Sequence, residues 1–438
     1  MRRVIDLFGR VALDISPLRD SRAFRLLWLG QTVSLLGSAI TMVVIPYQLY
    51  ELTESTLMLG LLGLCALAPL LVAPLIGGAI ADAVDRRRLL IVAELLLMGT
   101  SALLALNAAL PEPQVWALFA LETVATIFTG LAWPALRSAI PRLVAPDQIA
   151  AASALQGLQG NLSRVAGPAL GGFLIAGVGV TGTYVIDAVS FAASLAAVLA
   201  LPALRPLAGG ERASLESIRE GFRFVRSQKA VLGIFLVDTN AMIFGMPRAL
   251  FPAFAIQKLG DDPKLLGLLY AAPYVGALAA SLVSRPVNRV RRQGVGVIVA
   301  ACAWGVAIVA FGFSESLWPA LIALGVAGAA DMVSAILRTV IVIDATPDEM
   351  RGRVAGIEFM QVASAPALGD VEAGGLAHVT SVRFSIVSGG VACIAGSIAL
   401  AFALPALWRY DARSARAERR ARDDAAAGAE PSPSGPAS

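Results

Sequence analysis

The chain has little charge and few of the side chains that enzymes and metal proteins use. Only 15% of its 438 residues are charged, against about a quarter in an average soluble domain. It has a single histidine, His378, which excludes a multi-histidine metal site. Its three cysteines each lie inside an apolar run, which argues against disulfides. No G-x-x-x-x-G-K-S/T sequence occurs, so the chain is not expected to cradle the phosphates of ATP in a P-loop.

What the chain has in abundance is apolar sequence. Hydrophobic residues make up 57% of it and its mean hydropathy is +0.74, more apolar surface than a soluble core can bury. A helix needs about 20 apolar residues to cross the hydrocarbon of a bilayer. Backbone polar groups in lipid must pair within the segment, and barrel-like alternation is absent, so we predict an all-α membrane protein. Its twelve predicted transmembrane helices are 24–49, 57–80, 88–109, 115–138, 152–177, 182–203, 231–257, 265–284, 294–313, 318–343, 354–377 and 382–407.

Basic residues are concentrated on one side of these helices. When the loops are assigned to alternate sides, 29 of the 35 lysines and arginines fall on the side of both termini, and three fall opposite. Cytoplasmic loops are enriched in Lys and Arg, so we predict cytoplasmic N- and C-termini. The first apolar run is long enough to span and no cleavage site precedes it, which predicts a retained helix and not a signal peptide. We expect the inner or plasma membrane of a bacterium, with lipid as surroundings and no nucleic acid as partner.

The two halves of the chain resemble each other. GPALGG at 167–172 and APALGD at 365–370 are offset by 198 residues, and PDQ at 146–148 and PDE at 347–349 by 201. Three such matches, the third between Pro69 and Pro273, indicate a duplicated transporter with two six-helix pseudo-symmetric halves.

The longest internal loop lies between these halves and contains SLESIREGFRFVRSQK, an amphipathic stretch expected on the cytoplasmic face. The predicted divisions are a cytoplasmic segment 1–22, bundles 23–203 and 231–408, a linker 204–230, and a disordered tail 409–438.

The loop after the second run carries a spaced set of small and charged residues. Gly78 is followed by Asp82 and then by Arg86 and Arg87. The arginines alone would serve as a topology anchor. The full spacing resembles the major facilitator superfamily signature of this loop, although Ala83 replaces the usual cation and Asp85 the usual glycine. The resemblance implies that Asp82 and Arg86 act in gating.

The fifth run contains a second motif, formed by Gly167, Pro168, Gly171 and Gly172. Small residues with a proline allow close helix approach and a local bend, so plain packing is one explanation. The spacing also resembles the antiporter motif of exporters in the same superfamily, with Ser163 in place of an expected glycine. That resemblance favours efflux.

Four further segments extend the resemblance over residues 20–407 when they are taken together with the two motifs. They are FRLLWLGQTVSLLGS, PALRSAIPRLVAPDQIAAASAL, EGFRFVRSQKAVLG and TPDEMRGRVAG. The chain is similar to the enterobactin-exporter-like, or transmembrane secretion effector, branch of the superfamily. This implies the major facilitator fold and export of siderophores or drug-like molecules, driven by the proton motive force without a cofactor.

Charged residues inside membrane spans are costly and are candidates for function. Asp331 and Arg164 lie nearest the middle of their runs. Asp331 and Arg338 are seven residues apart on one helical face, so a structural ion pair is the alternative to a proton site. Candidate proton or substrate sites are Asp331, Glu122, Arg164, Asp238 and Arg338. Other charges near the ends of runs, among them Asp187 and Arg248, are given less weight.

Together these features predict a monomeric secondary transporter with a central cavity that opens to each side in turn. Protons and a small-molecule substrate are its expected partners. An importer or facilitator on the same fold stays open, because only the motif of the fifth run bears on direction. A membrane-embedded enzyme would need clustered His, Cys or paired acids, and a receptor would be expected to carry a large soluble domain; the sequence offers neither.

Overall fold

A computed structural model describes residues 14–204, 215–260, 262–283, 287 and 290–411. In this part of the chain every regular element is helical, as predicted. The longer helices are α1 (Arg22–Thr53), α2 (Thr56–Ala83), α3 (Arg86–Ala108), α4 (Val115–Ala139), α5 (Ile149–Leu199), α6 (Leu215–Ser227), α7 (Lys229–Phe244), α8 (Phe251–Leu259), α9 (Pro263–Leu282), α10 (Gln293–Gly312), α11 (Leu317–Ala345), α12 (Asp348–Val379) and α13 (Val382–Ala403). Short helices or 3₁₀ turns occur at Ser16–Asp20, Ile140–Arg142, Pro146–Gln148, Arg248–Leu250 and Pro405–Trp408.

The helix count is consistent with the predicted twelve crossings. Ten helices among the described residues are long and apolar enough to span a membrane, with α5 counted once, α7 and α8 counted together, and α12 not counted. In α5, Gly179 is non-helical with φ of +73°, and residues on both sides of it contact α1. The chain therefore turns back at Gly179, and α5 has two arms, 149–178 and 180–199. Helix α12 is 32 residues long but carries Glu358, Asp370 and Glu372, which lower its hydropathy.

The seventh crossing differs from its prediction. One helix was expected over 231–257, but the chain leaves the helical path between α7 and α8. Pro247 and Pro252 have no backbone N–H to donate, so an unbroken helix would lose hydrogen bonds there. The indole N–H of Trp304 donates to the Gly245 carbonyl at the break. The sixth and twelfth crossings are shorter than predicted, since their helices end at Leu199 and Ala403.

The helices pack as two groups. In the first half, α1 lies along both arms of α5, α2 lies against α4, and α3 packs on α4 and α5. In the second half, α11 packs on α9 and α10, while α7 contacts α12 and α13. Two long contacts join the groups, α2 with α12 and α5 with α9. This is the predicted fold class of two related six-helix halves.

The linker is partly described. Helix α6 packs on α12, where Glu220 forms an ion pair of 2.9 Å with Arg353, so this segment is attached to the second half. The predicted amphipathic stretch is helical over Leu215–Ser227. Most of the N-terminal segment (1–13), part of the linker (205–214) and almost all of the tail (412–438) fall outside the described residues, so predictions made for them are not tested.

Candidate functional site

At one end of the bundle, glycines let the two halves meet at backbone distance. A Cβ added to Gly374 on α12 would collide with the backbone of Gly60 on α2. A Cβ added to Gly172 on α5 or to Gly267 on α9 would likewise collide with the backbone of the opposite helix. Small residues are what permit helices to approach this closely. We call this region the closed end.

At the other end of the same helices, glycines have no close neighbours. A Cβ added to Gly78 on α2, to Gly157 or Gly160 on α5, or to Gly352 or Gly356 on α12 would meet nothing within 4 Å. Each of these glycines therefore has room for a side chain, and none of the close backbone approaches between the halves described above lies here. We call this region the open end.

Between the two ends lies a cavity of about 420 Å³, built from both halves. Its volume is within the range of small-molecule binding sites. Much of the wall is apolar or aromatic, with Trp304 and two tyrosines, Tyr270 and Tyr274, on one side. Four charged side chains face it: Glu122 from α4, Arg248 from the break after α7, Asp331 from α11 and Asp370 from α12.

Arg248 and Asp370 form an ion pair in the cavity wall. The Arg248 Nη2 and Nε atoms donate to Asp370 Oδ2 at 2.8 and 3.0 Å. Asp370 is buried, while 38% of the Arg248 side chain is exposed towards the cavity. The Tyr270 hydroxyl donates to the Arg248 carbonyl at 3.2 Å, which fixes the broken segment. A guanidinium held in this way can also offer hydrogen bonds to a bound solute.

Asp331, Arg338 and Asp238 form a second charged group. Arg338 donates to Asp238, and its Nη2 lies 3.8 Å from Asp331 Oδ1. Asp238 also accepts from the Gln361 amide at 2.9 Å and is buried, whereas Asp331 is 44% exposed and lines the cavity. The structure thus brings three predicted site residues together, with one arginine between two acids. The structural pair considered for Asp331 is present, but Asp238 is the closer partner of Arg338.

Of the other predicted sites, the structure places Glu122 at the cavity and Arg164 away from it. Glu122 lines the cavity from α4, and its carboxylate makes no ion pair with a described basic residue. Arg164 lies on the first arm of α5 with an exposed side chain and is absent from the cavity wall.

The predicted gating motif lies beside the open end. Asp82 is exposed and its Oδ1 lies 3.7 Å from the Nη2 of the buried Arg86. Asp85, where the superfamily signature has glycine, caps α3 by accepting from the backbone N–H groups of Arg87 and Leu204 at 2.9 and 3.1 Å. Arg87 donates to the carbonyls at the end of α5. The departure at Asp85 therefore has a structural role in tying the loop to the end of the sixth crossing.

The antiporter-type motif lies within the contacts of the first arm of α5. A Cβ on Gly167 would collide with Ala39 on α1, and one on Gly171 would contact the Ile40 backbone. Gly172 faces Gly267 on α9, and the Pro168 carbonyl also lies against Gly267. Gly167 and Gly171 thus pack within the first half, whereas Pro168 and Gly172 form part of the closed end.

Sequence reasoning missed two buried acids. Asp370 was not singled out, although the APALGD repeat carries it at the position where GPALGG has Gly172. That substitution of an acid for glycine was the available signal. Asp187 was placed near the end of its run and given less weight, but it is buried among hydroxyl groups. Its surroundings come from three helices, so no local pattern indicated them.

Comparison with protein families gives a match that covers nearly the whole chain. Residues 12–426 match the family described as transmembrane secretion effector. Enterobactin exporter EntS of Citrobacter koseri is 31% identical over 382 residues, which are 86% of this chain and 91% of that protein. Enterobactin exporter EntS of Escherichia coli is 30% identical over 393 residues, covering 89% of this chain and 93% of that protein.

Solved structures of transporters share the fold at low sequence identity. The nucleoside transporter NupG superimposes with a TM-score of 0.70 at 13% identity, covering 89% of this chain and all of that one (100%). A POT family transporter in complex with 5-aminolevulinic acid has a TM-score of 0.70 at 12% identity, with 88% and 97% covered. A bacterial homologue of the human lysosomal transporter Spinster has a TM-score of 0.66 at 15% identity, with 88% and 95% covered.

Proposed function

The chain belongs to the transmembrane secretion effector family of the major facilitator superfamily. We propose that it exports a siderophore-type or drug-like molecule in exchange for protons. The observation that carries the proposal is the cavity between the two halves, with close backbone contacts between the halves at the closed end and uncrowded glycines at the open end. A solute site between two halves that touch at one end only is what alternating access requires.

The cavity wall supports a substrate with aromatic and hydrogen-bonding parts. Trp304, Tyr270 and Tyr274 supply flat aromatic surface, while Arg248 and Asp331 supply a donor and an acceptor that are partly exposed. Both relatives described above are enterobactin exporters, which supports a siderophore as the substrate class. Because the cavity is complete within one chain, a monomer is sufficient for transport.

The charge distribution supports the direction. The open end lies beside Asp82 and the three arginines that begin α3, on the side with most of the basic residues. Under the positive-inside rule this end faces the cytoplasm of a bacterial cell, and both termini lie there as well. The structure then corresponds to the state that loads substrate from the cytoplasm. Opening of the closed end would release the substrate to the outside.

The energy source we propose is the proton gradient. Several acids lie in or beside the cavity, and removal of a buried charge by protonation can shift a balance between two conformations. Asp331 is partly exposed to the cavity, and Glu122 lines the cavity without an ion pair to a described basic residue. Either acid is therefore placed to meet the substrate or a proton. The Asp82–Arg86 pair would act on the same balance from the loop outside the cavity.

Uptake by everted membrane vesicles tests this function. Vesicles made from cells that lack their own siderophore exporters are energised by respiration, and entry of radiolabelled enterobactin is measured with and without this chain. We expect uptake that depends on the chain and collapses when an uncoupler is added. The same assay with a cationic dye tests the drug-like alternative. Uptake of neither probe, or movement only from lumen to medium, would contradict export.

A further inference from the structure

A buried carboxyl group in the first half has hydroxyl partners and no cation. Asp187, on the second arm of α5, is 1% exposed. Its Oδ2 accepts from the hydroxyls of Thr41 on α1 and Ser101 on α3, each at 2.7 Å, and Ser190 Oγ lies 3.4 Å from Oδ1. No ion pair joins it to a basic residue in the described part of the chain. The buried Asp370 differs, because it has an arginine partner.

We call the hydroxyls of Thr41, Ser101 and Ser190 around Asp187 the hydroxyl cage. The chemistry of this cage suits a group that gains and loses a proton. A hydroxyl can donate to a carboxylate and can also accept from a carboxylic acid, so both forms of Asp187 keep hydrogen bonds. A buried carboxylate with no cation is unfavourable, and protonation removes that charge. The cage is also fitted closely, since a Cβ at Gly37 would collide with the side chains of Asp187 and Ser190.

The cage opens towards the cavity on one side. Thr41 lines the cavity and its hydroxyl bonds directly to Asp187. A proton delivered to cavity water therefore has one hydroxyl between it and the carboxyl group.

On the other side, a polar path leads towards the open end. Ser194 follows Ser190 by one helical turn, about 6 Å. Its hydroxyl donates to Glu94 Oε1 at 2.8 Å, and the Gln31 amide donates to the same atom at 2.7 Å. Glu94 is only 5% exposed, and its Oε2 atom is buried with no hydrogen-bond partner. A buried carboxyl oxygen without a partner is a place where a proton or a water would be stabilised.

We propose that Asp187 is the proton-binding residue that couples export to the proton gradient, with Thr41 as its connection to the cavity and Glu94 as the next acceptor towards the cytoplasm. The inference rests on the proposed function. In the state open to the outside, cavity water gives a proton to Asp187 and a carboxyl O–H bond forms. In the state open to the cytoplasm, that bond breaks and the proton passes to a water that bridges the turn between Ser190 and Ser194, then to Glu94 and then to bulk water.

Other titratable groups face Asp187 from the surrounding helices. Glu122 on α4 lines the same cavity as Thr41, and Tyr184 lies on the same arm of α5, three residues before Asp187. From α3 the titratable group is Glu94, two helical turns from Ser101, and from α1 the side chain that contacts Asp187 is the uncharged Thr41. A second carboxylate without a cation favours keeping a proton in this half.

Infrared spectroscopy of the purified full chain in lipid nanodiscs tests proton binding without any substrate. Acidification should raise the carbonyl-stretch band of protonated carboxyl groups, and Asp187→Asn should remove one component of that rise. Thr41→Val should shift the frequency of the same component, because one hydrogen bond to the carboxyl group is lost. A pH response that is the same in wild type, Asp187→Asn and Thr41→Val would overturn the assignment, whether or not enterobactin is transported.

Transport by the same variants tests coupling. In proteoliposomes, Asp187→Asn should abolish enterobactin accumulation driven by a pH gradient but retain exchange of labelled for unlabelled enterobactin. Thr41→Val should slow gradient-driven uptake about tenfold, which corresponds to 1.4 kcal/mol, and Thr41→Ser should restore it. The matched control is Thr123→Val, whose hydroxyl bonds only within α4. Normal accumulation by Asp187→Asn, or uptake that follows a sodium gradient instead, would overturn the proposal.

Discussion

Arg248 and Asp370 form an ion pair of 2.8 Å that joins the broken seventh crossing to α12. Asp370 is also the side chain that a Cβ at Gly63 on α2 would touch, so the pair stands where the two halves meet. One pair therefore links the cavity wall to the closed end. A solute that draws Arg248 away from Asp370 would change the cavity wall and the contact at the closed end at the same time.

The two members of this pair should differ in their effect on stability. Arg248→Gln leaves the buried Asp370 without a cation, and we expect destabilisation of about 3 kcal/mol. Asp370→Asn leaves Arg248 without its acid, but 38% of the Arg248 side chain is exposed to the cavity, so we expect destabilisation of only about 1 kcal/mol. Detergent-solubilised abundance and thermal unfolding measure both. The double variant should recover most of the loss, and equal effects of the two single changes would contradict this account.

The closed end should not tolerate an added methyl group. Gly172→Ala would press against the backbone of Pro263 and Gly267, which favours the state open to the outside. In a background without native cysteines, Ala66→Cys in the cavity wall should then react faster with an impermeant maleimide added outside. Gly99→Ala, where a Cβ meets no neighbour, is the control. Unchanged labelling in Gly172→Ala would argue that the halves do not separate here.

Asp82→Asn should slow transport strongly and leave abundance near that of the wild type. The Asp82–Arg86 contact is 3.7 Å long with an exposed acid, and the amide oxygen of an asparagine can still accept from Arg86, so we expect a loss of only about 1 kcal/mol. A large effect on transport would therefore come from the balance between conformations. Arg88→Gln, an exposed neighbour, serves as the control. Normal transport by Asp82→Asn would leave the loop as a topology anchor only.

Asp331 and Asp238 compete for Arg338, and their variants should separate structure from coupling. Asp238→Asn removes the closer partner of Arg338, so we expect roughly 1.5–3 kcal/mol of destabilisation, seen as reduced abundance. Asp331→Asn should leave abundance nearly unchanged, because Arg338 keeps Asp238. If Asp331→Asn retained exchange but lost accumulation against a gradient, Asp331 would become the coupling residue in place of Asp187.

The orientation rests on the placement of lysines and arginines. A reporter that is active only in the cytoplasm should be active when fused to the C-terminus and inactive when inserted after Pro111. An outward C-terminus would contradict both the orientation and the assignment of the open end to the cytoplasm.

Most of the fold followed from sequence because lipid imposes a simple rule. Each crossing needs a long apolar run, so the runs predicted the helices, including α12 despite its acids. The repeat between GPALGG and APALGD indicated two halves before any contact was known. The break after α7 was missed, since transmembrane helices often tolerate proline and the local sequence does not show which prolines break them.

The site was less predictable, because partners come from helices far apart in the chain. Asp238 and Arg338 were both proposed, but their contact joins residues 100 positions apart. Asp187 depends on Thr41 and Ser101, which lie 146 and 86 positions away. The depth of a charged residue within an apolar run indicates only that the charge is costly to bury in the membrane. Only the packing of helices shows whether a cation or a group of hydroxyls stabilises it.

Simultaneous measurement of two fluxes tests the central claim most directly. Purified full-length chain is reconstituted into proteoliposomes that are acidic inside, with radiolabelled enterobactin outside and a pH-sensitive dye in the lumen. The account predicts that enterobactin accumulates inside above its outside concentration while protons leave at a rate that rises with enterobactin concentration, and that accumulation above the outside concentration is lost when the pH gradient is collapsed. Enterobactin accumulation that is unchanged without a pH gradient, or enterobactin entry with no proton movement, would contradict proton-coupled export.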